Sequence, residues 1–391
     1  MPWRTVPDLA VRTKGGSVVL ANDETFGAKE NLIKADAPVF QPHTFGHRGQ
    51  IMDGWETRRR RRPGDDWAIV RLGIPGVVRG VLVDTAWFTG NYPPEVSVEA
   101  AWCDPLDSSI GPADLADPGT AWKEIVPRSP VRGDSENGFA VQHDRLVTHV
   151  RLRQYPDGGV ARLRVHGEPV GDPRWTAGQA FDLAAMEHGA AVLEWSNGFY
   201  SAPDNLLVPG PARVMGEGWE TSRRRDEGND WVVVQLAAAG VVRRLEIDTS
   251  HFVGNAPGEV SVTGIGMEQV ALLPRSPVQP DAVNRFILPP TAPVRQIRLD
   301  IFPDGGLARL RAVGEPSADG RSEFFLRWYG NLADATAVTA LTGWGGADGT
   351  WASALAAGRP YRDGAALADA AAAASGTPPE RAAWSALTGL T

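Results

Sequence analysis

The sequence predicts a mainly β protein: two β-sandwiches in tandem, followed by a short α-helical extension. Three observations predict it. First, 44 glycines and 31 prolines punctuate the 391-residue chain at short intervals, the texture of strands joined by turns. Second, the stretches between them, such as VVRGVLVDTAWF, EVSVEAAW, HVRLRQYP and VARLRVHG, alternate or run apolar for strand length without holding a helical period. Third, the chain repeats itself. Gly54-Trp55-Glu56-Thr57 recurs as Gly218-Trp219-Glu220-Thr221, Asp66-Trp67 as Asp230-Trp231, and Asp84-Thr85 as Asp248-Thr249, all at an offset of 164.

Later in the repeat the offset falls to 147: Pro127-Arg128-Ser129-Pro130 returns as Pro274-Arg275-Ser276-Pro277, and Pro156-Asp157-Gly158-Gly159 as Pro303-Asp304-Gly305-Gly306. The first copy thus carries 17 extra residues, expected as a surface insertion within the Asp-, Pro-, Gly- and Ser-rich stretch 103–123. Each copy holds seven or eight strand-like runs, enough for a self-standing sandwich. The expected domains are 1–175, 176–320 and 321–391, the last an Ala-rich helical piece with SEFFLRWYGNLADATAVTAL and AALADAAAAA. The join near 171–187 loses strand alternation and could hold a short helix.

Composition narrows the function. With 42% hydrophobic and 22% charged residues the chain is an ordinary globular protein, so disordered and fibrous classes are excluded. No stretch approaches the roughly 20 apolar residues of a membrane span, and the opening MPWRTVPDLA lacks a secretory apolar core. A cytoplasmic protein is expected, and its single cysteine, Cys103, suits a reducing compartment. Against 47 acidic residues stand 39 Lys and Arg, a net charge of −8, so a nucleic-acid partner is not expected and any basic site must be local.

Two constellations carry chemistry. Trp55-Glu56-Thr57 opens onto five arginines, Arg58 to Arg62, closed by Asp65-Asp66-Trp67, and the second copy keeps Arg223, Arg224 and Arg225 in the same brackets. Guanidinium forks match carboxylates and ureido oxygens, though a solvated loop or structural ion pairing would look the same. The second constellation follows an apolar strand: Asp84-Thr85-Ala86-Trp87-Phe88-Thr89-Gly90-Asn91-Tyr92-Pro93, echoed by Asp248-Thr249-Ser250-His251-Phe252-Val253-Gly254-Asn255-Ala256-Pro257. It puts polar groups at the end of a sheet, yet Asp, Asn, Gly and Pro are also ordinary turn residues. His251 replaces Trp87, so it is either an acid or base or a hydrogen-bonded structural histidine. Pro-Asp-Gly-Gly reads as a structural hairpin turn, and the alternating Arg162 and Arg164 share one sheet face, as do their counterparts Arg309 and Arg311 within copy two, where they could add cations to a site. No HxH, HExxH, phosphate loop or GxSxG elbow occurs.

These strings, GWETRRRRRPGDDW, VDTAWFTGNYPP and QYPDGGVARLRVHGEP with their second copies, resemble the allantoicase family over about residues 10 to 318. The resemblance implies two jelly-roll, galactose-binding-like sandwiches, hydrolysis of allantoate to ureidoglycolate and urea, homo-oligomers and, as in some members, a divalent metal, with metal ligands unknown. Allantoate presents one carboxylate and two ureido groups. On that reading the expected acid or base candidates are Glu56, Glu220, Asp84, Asp248 and His251. The expected substrate-binding residues are Trp55, Thr57, Arg59, Arg60, Asp66 and Asn91 in copy one, and Trp219, Thr221, Arg223, Arg224, Asp230 and Asn255 in copy two. The tail, from Asn331-Leu332-Ala333 to Tyr361, is similar to the start of the ureidoimidazoline decarboxylase family without its His-Pro motif, and is expected to serve packing or assembly. The rival reading is a non-enzymatic tandem module that binds carbohydrate or another small ligand.

Overall fold

The computed structural model describes all residues except Arg48, Pro118 and Thr391. The chain divides into two compact units, Met1–Val170 and Gly171–Thr391.

Each unit is organised by one strand of 19 residues, Asp66–Asp84 in the first and Asp230–Asp248 in the second. Runs of Val, Ile and Leu make these segments strands, and a register shift between Arg71 and Gly76 breaks the first into two halves with different partners. The first half pairs with Ser17–Ala21 on one side and Leu146–Tyr155 on the other, beyond which lie Glu95–Ala101 and Lys123–Pro130. The second half pairs with Arg162–Pro169 and Glu136–Ala140. One strand thereby feeds both layers of a β-sandwich. Val83, Val98, Val150, Leu152 and Leu163 are fully buried between them, each contributing roughly 1.5–3 kcal/mol of apolar burial. The second unit repeats this plan with Ala191–Trp195, Val294–Phe302, Glu259–Ile265 and Gln269–Pro277 about the first half of its long strand, and Arg309–Pro316 and Val283–Ile287 about the second.

The two copies differ in two connections. Strands Glu95–Ala101 and Lys123–Pro130 are joined through 102–122, which holds the short helix Pro112–Ala116, whereas residues 266–268 make the same link in copy two. The other difference escapes motif matching. Asn31 donates to the carbonyl of Gly54, 23 residues on, while Asn205 makes the same bond to Gly218 only 13 residues on. The first copy therefore has ten more residues between these points, and they include a small hairpin of Phe45–Gly46 against Gly49–Gln50.

The division into compact units falls after Val170, and the helices that follow residue 317 lie within the second unit. The helix Ala318–Asn331 starts on a Ser317 cap whose Oγ accepts from Gly320 N. It stacks Phe324 on Phe181 at 5.6 Å, and Arg327 donates to the carbonyls of His188 and Ala237. Helices Asp334–Thr342, Gly349–Ala357, Gly364–Ala373 and Arg381–Thr388 follow, with Trp351 and Trp384 meeting edge to face at 5.3 Å.

Two buried histidines should make the fold acid-sensitive. Burial, helped by the positive Arg71, holds His149 down at about 4, and burial beside Arg327 does the same for His188. Both pKa values lie below the unfolded value, so the stability they confer is present above about pH 6.5 and is lost as pH falls towards 4. For His149, 8% exposed, this is on the order of 3 kcal/mol. His188 sits against Phe181 and Phe324, so we expect His188→Phe to flatten the loss of denaturant stability between pH 7 and 4.5. An unchanged pH slope would contradict this origin.

Candidate functional site

The site begins with the Pro-Asp-Gly-Gly turn. Gly158 adopts φ +150°, where an L side chain would be strained, and its Cβ position is filled by the backbone at Pro93. Its carbonyl accepts from Thr57 N, and Thr57 Oγ1 is also held by Gln154 Nε2 at 3.0 Å. Asp157 caps the arginine loop by accepting from Arg60 N at 2.8 Å. Gly159 then pairs with Glu56 as a short β-ladder and donates its N–H to the carbonyl of Asn91. One turn thus fixes two polar residues far apart in sequence.

Those two residues meet: Asn91 Nδ2 donates to Glu56 Oε1 at 2.8 Å. They line a cleft of about 400 Å³ with Gln50 and Thr89, walled by Phe26, Phe40, Met52 and Trp87. Phe40 stacks on Trp87 at 5.7 Å, and the Trp87 indole donates to the carbonyl of Pro38. Phe40, Gln50 and Met52 come from the ten-residue-longer connection of copy one. Burial among these walls raises the Glu56 pKa, partly offset by the Asn91 bond, which favours the carboxylate. The Asn91 amide thereby fixes the orientation of a carboxyl group whose pKa is raised.

Copy two keeps the pair with different neighbours. Asn255 Nδ2 donates to Glu220 Oε1 at 2.8 Å and to Met215 Sδ, while nearby in sequence Phe199, Tyr200 and Val253 are 72%, 66% and 69% exposed. His251 Nε2 lies 3.0 Å from the carbonyl of Ala212, the same duty the Trp87 indole performs. Both residues sit in the left-handed region, φ 72° and 68°, where the backbone N–H is received by Asp281 and Asp134. Asp84 and Asp248 are buried, and each accepts from the backbone two residues on, Ala86 and Ser250. Burial raises Asp84, against that backbone bond.

The sequence relationships agree with this plan. A family model described as the allantoicase repeat matches residues 7–170 and 181–317. The chain belongs to the allantoicase family. A probable allantoicase of Nocardia farcinica is 55% identical over 317 residues, 79% of this chain and 94% of that protein, and one from Streptomyces coelicolor is 47% identical over 341 residues, 84% and 90%. The crystal structure of allantoicase from Saccharomyces cerevisiae matches with a TM-score of 0.69 at 34% identity, over 80% of this chain and 93% of that one.

Within this allantoicase fold several residues expected to bind ligand are engaged in holding the architecture together. Trp55 and Trp219 are fully buried, their indoles donating to the carbonyls of Asp23 and Asn197. Buried Thr57 and Thr221 hold the carbonyls of Gly158 and Gly305. Arg60 pairs with Asp66 at 2.9 Å and Arg224 with Asp230 at 2.8 Å, both aspartates being nearly inaccessible. Arg59 lines a different pocket, with Asn22, Asp23 and the rest of the arginine run, and Arg223 has no ion-pair partner among the described residues. In the first repeat the arginine run and Glu56 line separate recesses. The Phe26, Phe40, Met52 and Gln50 walls went unread, because no periodicity or repeat marks them. Among the described residues no three His, Cys, Asp or Glu side chains gather as a metal-holding group, so the donor set does not fit a resident divalent ion.

Proposed function

We propose that this chain hydrolyses allantoate to ureidoglycolate and urea in the Glu56–Asn91 cleft of its first repeat. Family membership supports the reaction, and the walled carboxyl group with a raised pKa supports the place. Glu56 in its neutral form gives its proton to one ureido nitrogen as the bond from that nitrogen to the central carbon breaks. The remaining ureido nitrogen shares its lone pair with the central carbon, and urea leaves. The Glu56 carboxylate then takes a proton from water as its oxygen adds to the carbon, which yields the hydroxyl of ureidoglycolate and restores the acid. The substrate is itself an anion, and its charge beside Glu56 pushes that group further towards its neutral form. Gln50 and Thr89 supply donors and acceptors for the ureido and carboxylate oxygens, while Asp84, Asp248 and His251 shape the turns that carry Asn91 and Asn255.

No membrane-crossing helix occurs among the described residues. A cytoplasmic setting and a homo-oligomeric state complete the proposal, supported by the lone thiol Cys103 and by the exposed apolar residues Phe199, Tyr200 and Val253. The helical extension serves packing of the second unit. A tandem ligand-binding module is the competing class, and one assay separates them: purified protein should release one urea per allantoate, at an unchanged rate after chelator treatment. Saturable allantoate binding with no urea would leave the binding module standing.

A further inference from the structure

The arginine run presents a second recess with no part in the reaction above. It holds about 460 Å³ and is lined by Arg58 to Arg62 with Asn22, Asp23 and Asp66. Two of its guanidiniums are committed: Arg58 to Asp23 at 3.1 Å and Arg60 to Asp66. Arg59, Arg61 and Arg62 are exposed and have no ion-pair partner among the described residues.

The second copy supplies an internal control. Its loop has the same backbone pins, Arg224 N on Asp304 and Arg224 on Asp230, so whatever the fold requires of this loop is met there too. Yet Ser222 stands for Arg58, Asp226 for Arg62 and Glu227 for Pro63, and Arg224 also pairs with Asp226. Residues 58–66 carry five arginines against two aspartates, a charge of +3, while residues 222–230 carry three arginines against three acids, a charge of zero. Folding accounts for the neutral version. The surplus in copy one sets like charges side by side on a chain of net charge −8, an arrangement that destabilises itself unless an anion occupies it.

We propose that this recess binds a small polyanion bearing two or more adjacent oxyanion groups, phosphate or carboxylate, at a site separate from the Glu56 cleft. Planar forks from Arg59, Arg61 and Arg62 offer paired N–H donors suited to such groups, and the volume lies in the range of small-ligand sites. Asp23 and Asp66, already neutralised by Arg58 and Arg60, do not repel it.

The test grafts the second copy's residues onto the first. Arg58→Ser with Arg62→Asp brings the loop charge to zero without touching Arg60 or Asp66. At fixed ionic strength, tripolyphosphate or citrate should raise the melting temperature of the wild-type protein and bind at least tenfold more weakly to the double variant, while urea release from allantoate stays within twofold. A response to tripolyphosphate alone supports a phosphate-bearing ligand, and one to citrate alone supports a polycarboxylate. No response beyond that of added potassium chloride, or an equal response in the double variant, overturns the proposal. So does a tenfold loss of kcat/KM for allantoate, which would make the recess part of the substrate site.

Discussion

Glu56→Gln should lower urea release from allantoate by about 10²- to 10⁴-fold, the usual loss when a positioned acid or base is removed. The substitution is nearly isosteric, and its Oε1 can still accept from Asn91, so the cleft should keep its shape and the protein its melting temperature. The pH profile gives a second signature. Glu56 has a raised pKa and acts first as an acid, so kcat/KM for the wild type is carried by the protonated form and falls as pH rises through that pKa. The alkaline limb due to this group should vanish in the Gln variant. In Asn91→Ala the limb should move to higher pH, because the Asn91 bond is what opposes burial. Glu220→Gln should stay within a few-fold of wild type, since its pair lacks the Phe40, Gln50 and Met52 walls. Comparable losses from both Gln variants would show that each repeat contributes to turnover and would refute the single-repeat assignment.

Why one half of this site could be read and the other could not follows from what repetition records. Duplication preserves whatever the shared fold needs, so the most faithfully repeated strings mark residues such as Trp55, Thr57, Arg60 and Asp66, which pin loops to turns in both copies. Their polar character made them look like ligand groups, but a guanidinium closing a loop and one awaiting a carboxylate are identical in sequence. Glu56 and Asn91 were legible because each lies within a recurring motif, although 35 residues separate them. The strands were legible from Val and Ile runs between turn residues, and the tail from its alanines. The hairpin around Phe45 was not. Residues 34–53 have neither strand alternation nor helical period, and this connection is ten residues longer than its counterpart in copy two. On the proposed assignment function resides in that difference between copies, and matching copies for similarity hides it.

A single buried residue holds the longer connection of the first copy down. Arg162 is 1% exposed. Its Nε donates to the carbonyl of Asp36 at 3.0 Å, Nη1 to those of Asp53 and Ala161 at 2.8 Å, and Nη2 to the Asp53 carboxylate at 2.6 Å. Burial works against the Asp53 charge, but the bonds from Arg162 and Lys34 outweigh it and hold its pKa below the usual carboxylate range. In Arg162→Met the apolar stem would still fill the space, yet three carbonyls and a carboxylate would lose their donor. Stability should fall by about 3–5 kcal/mol, the cost of orphaning a buried ionic partner. Because Asp36 and Asp53 bracket the segment that supplies Phe40, Gln50 and Met52, the KM for allantoate should rise and protease should cut first within residues 34–53. Arg309→Met is the matched control. Arg309 donates to the carbonyls of Gly210, Glu217 and Ala308, with no carboxylate bond, and burial draws its pKa down to about 10. Its loss should destabilise the second unit while leaving KM near wild type. An Arg162→Met protein with wild-type denaturant stability and an unaltered KM would show that the connection holds itself in place, and that the buried guanidinium has no share in forming the cleft.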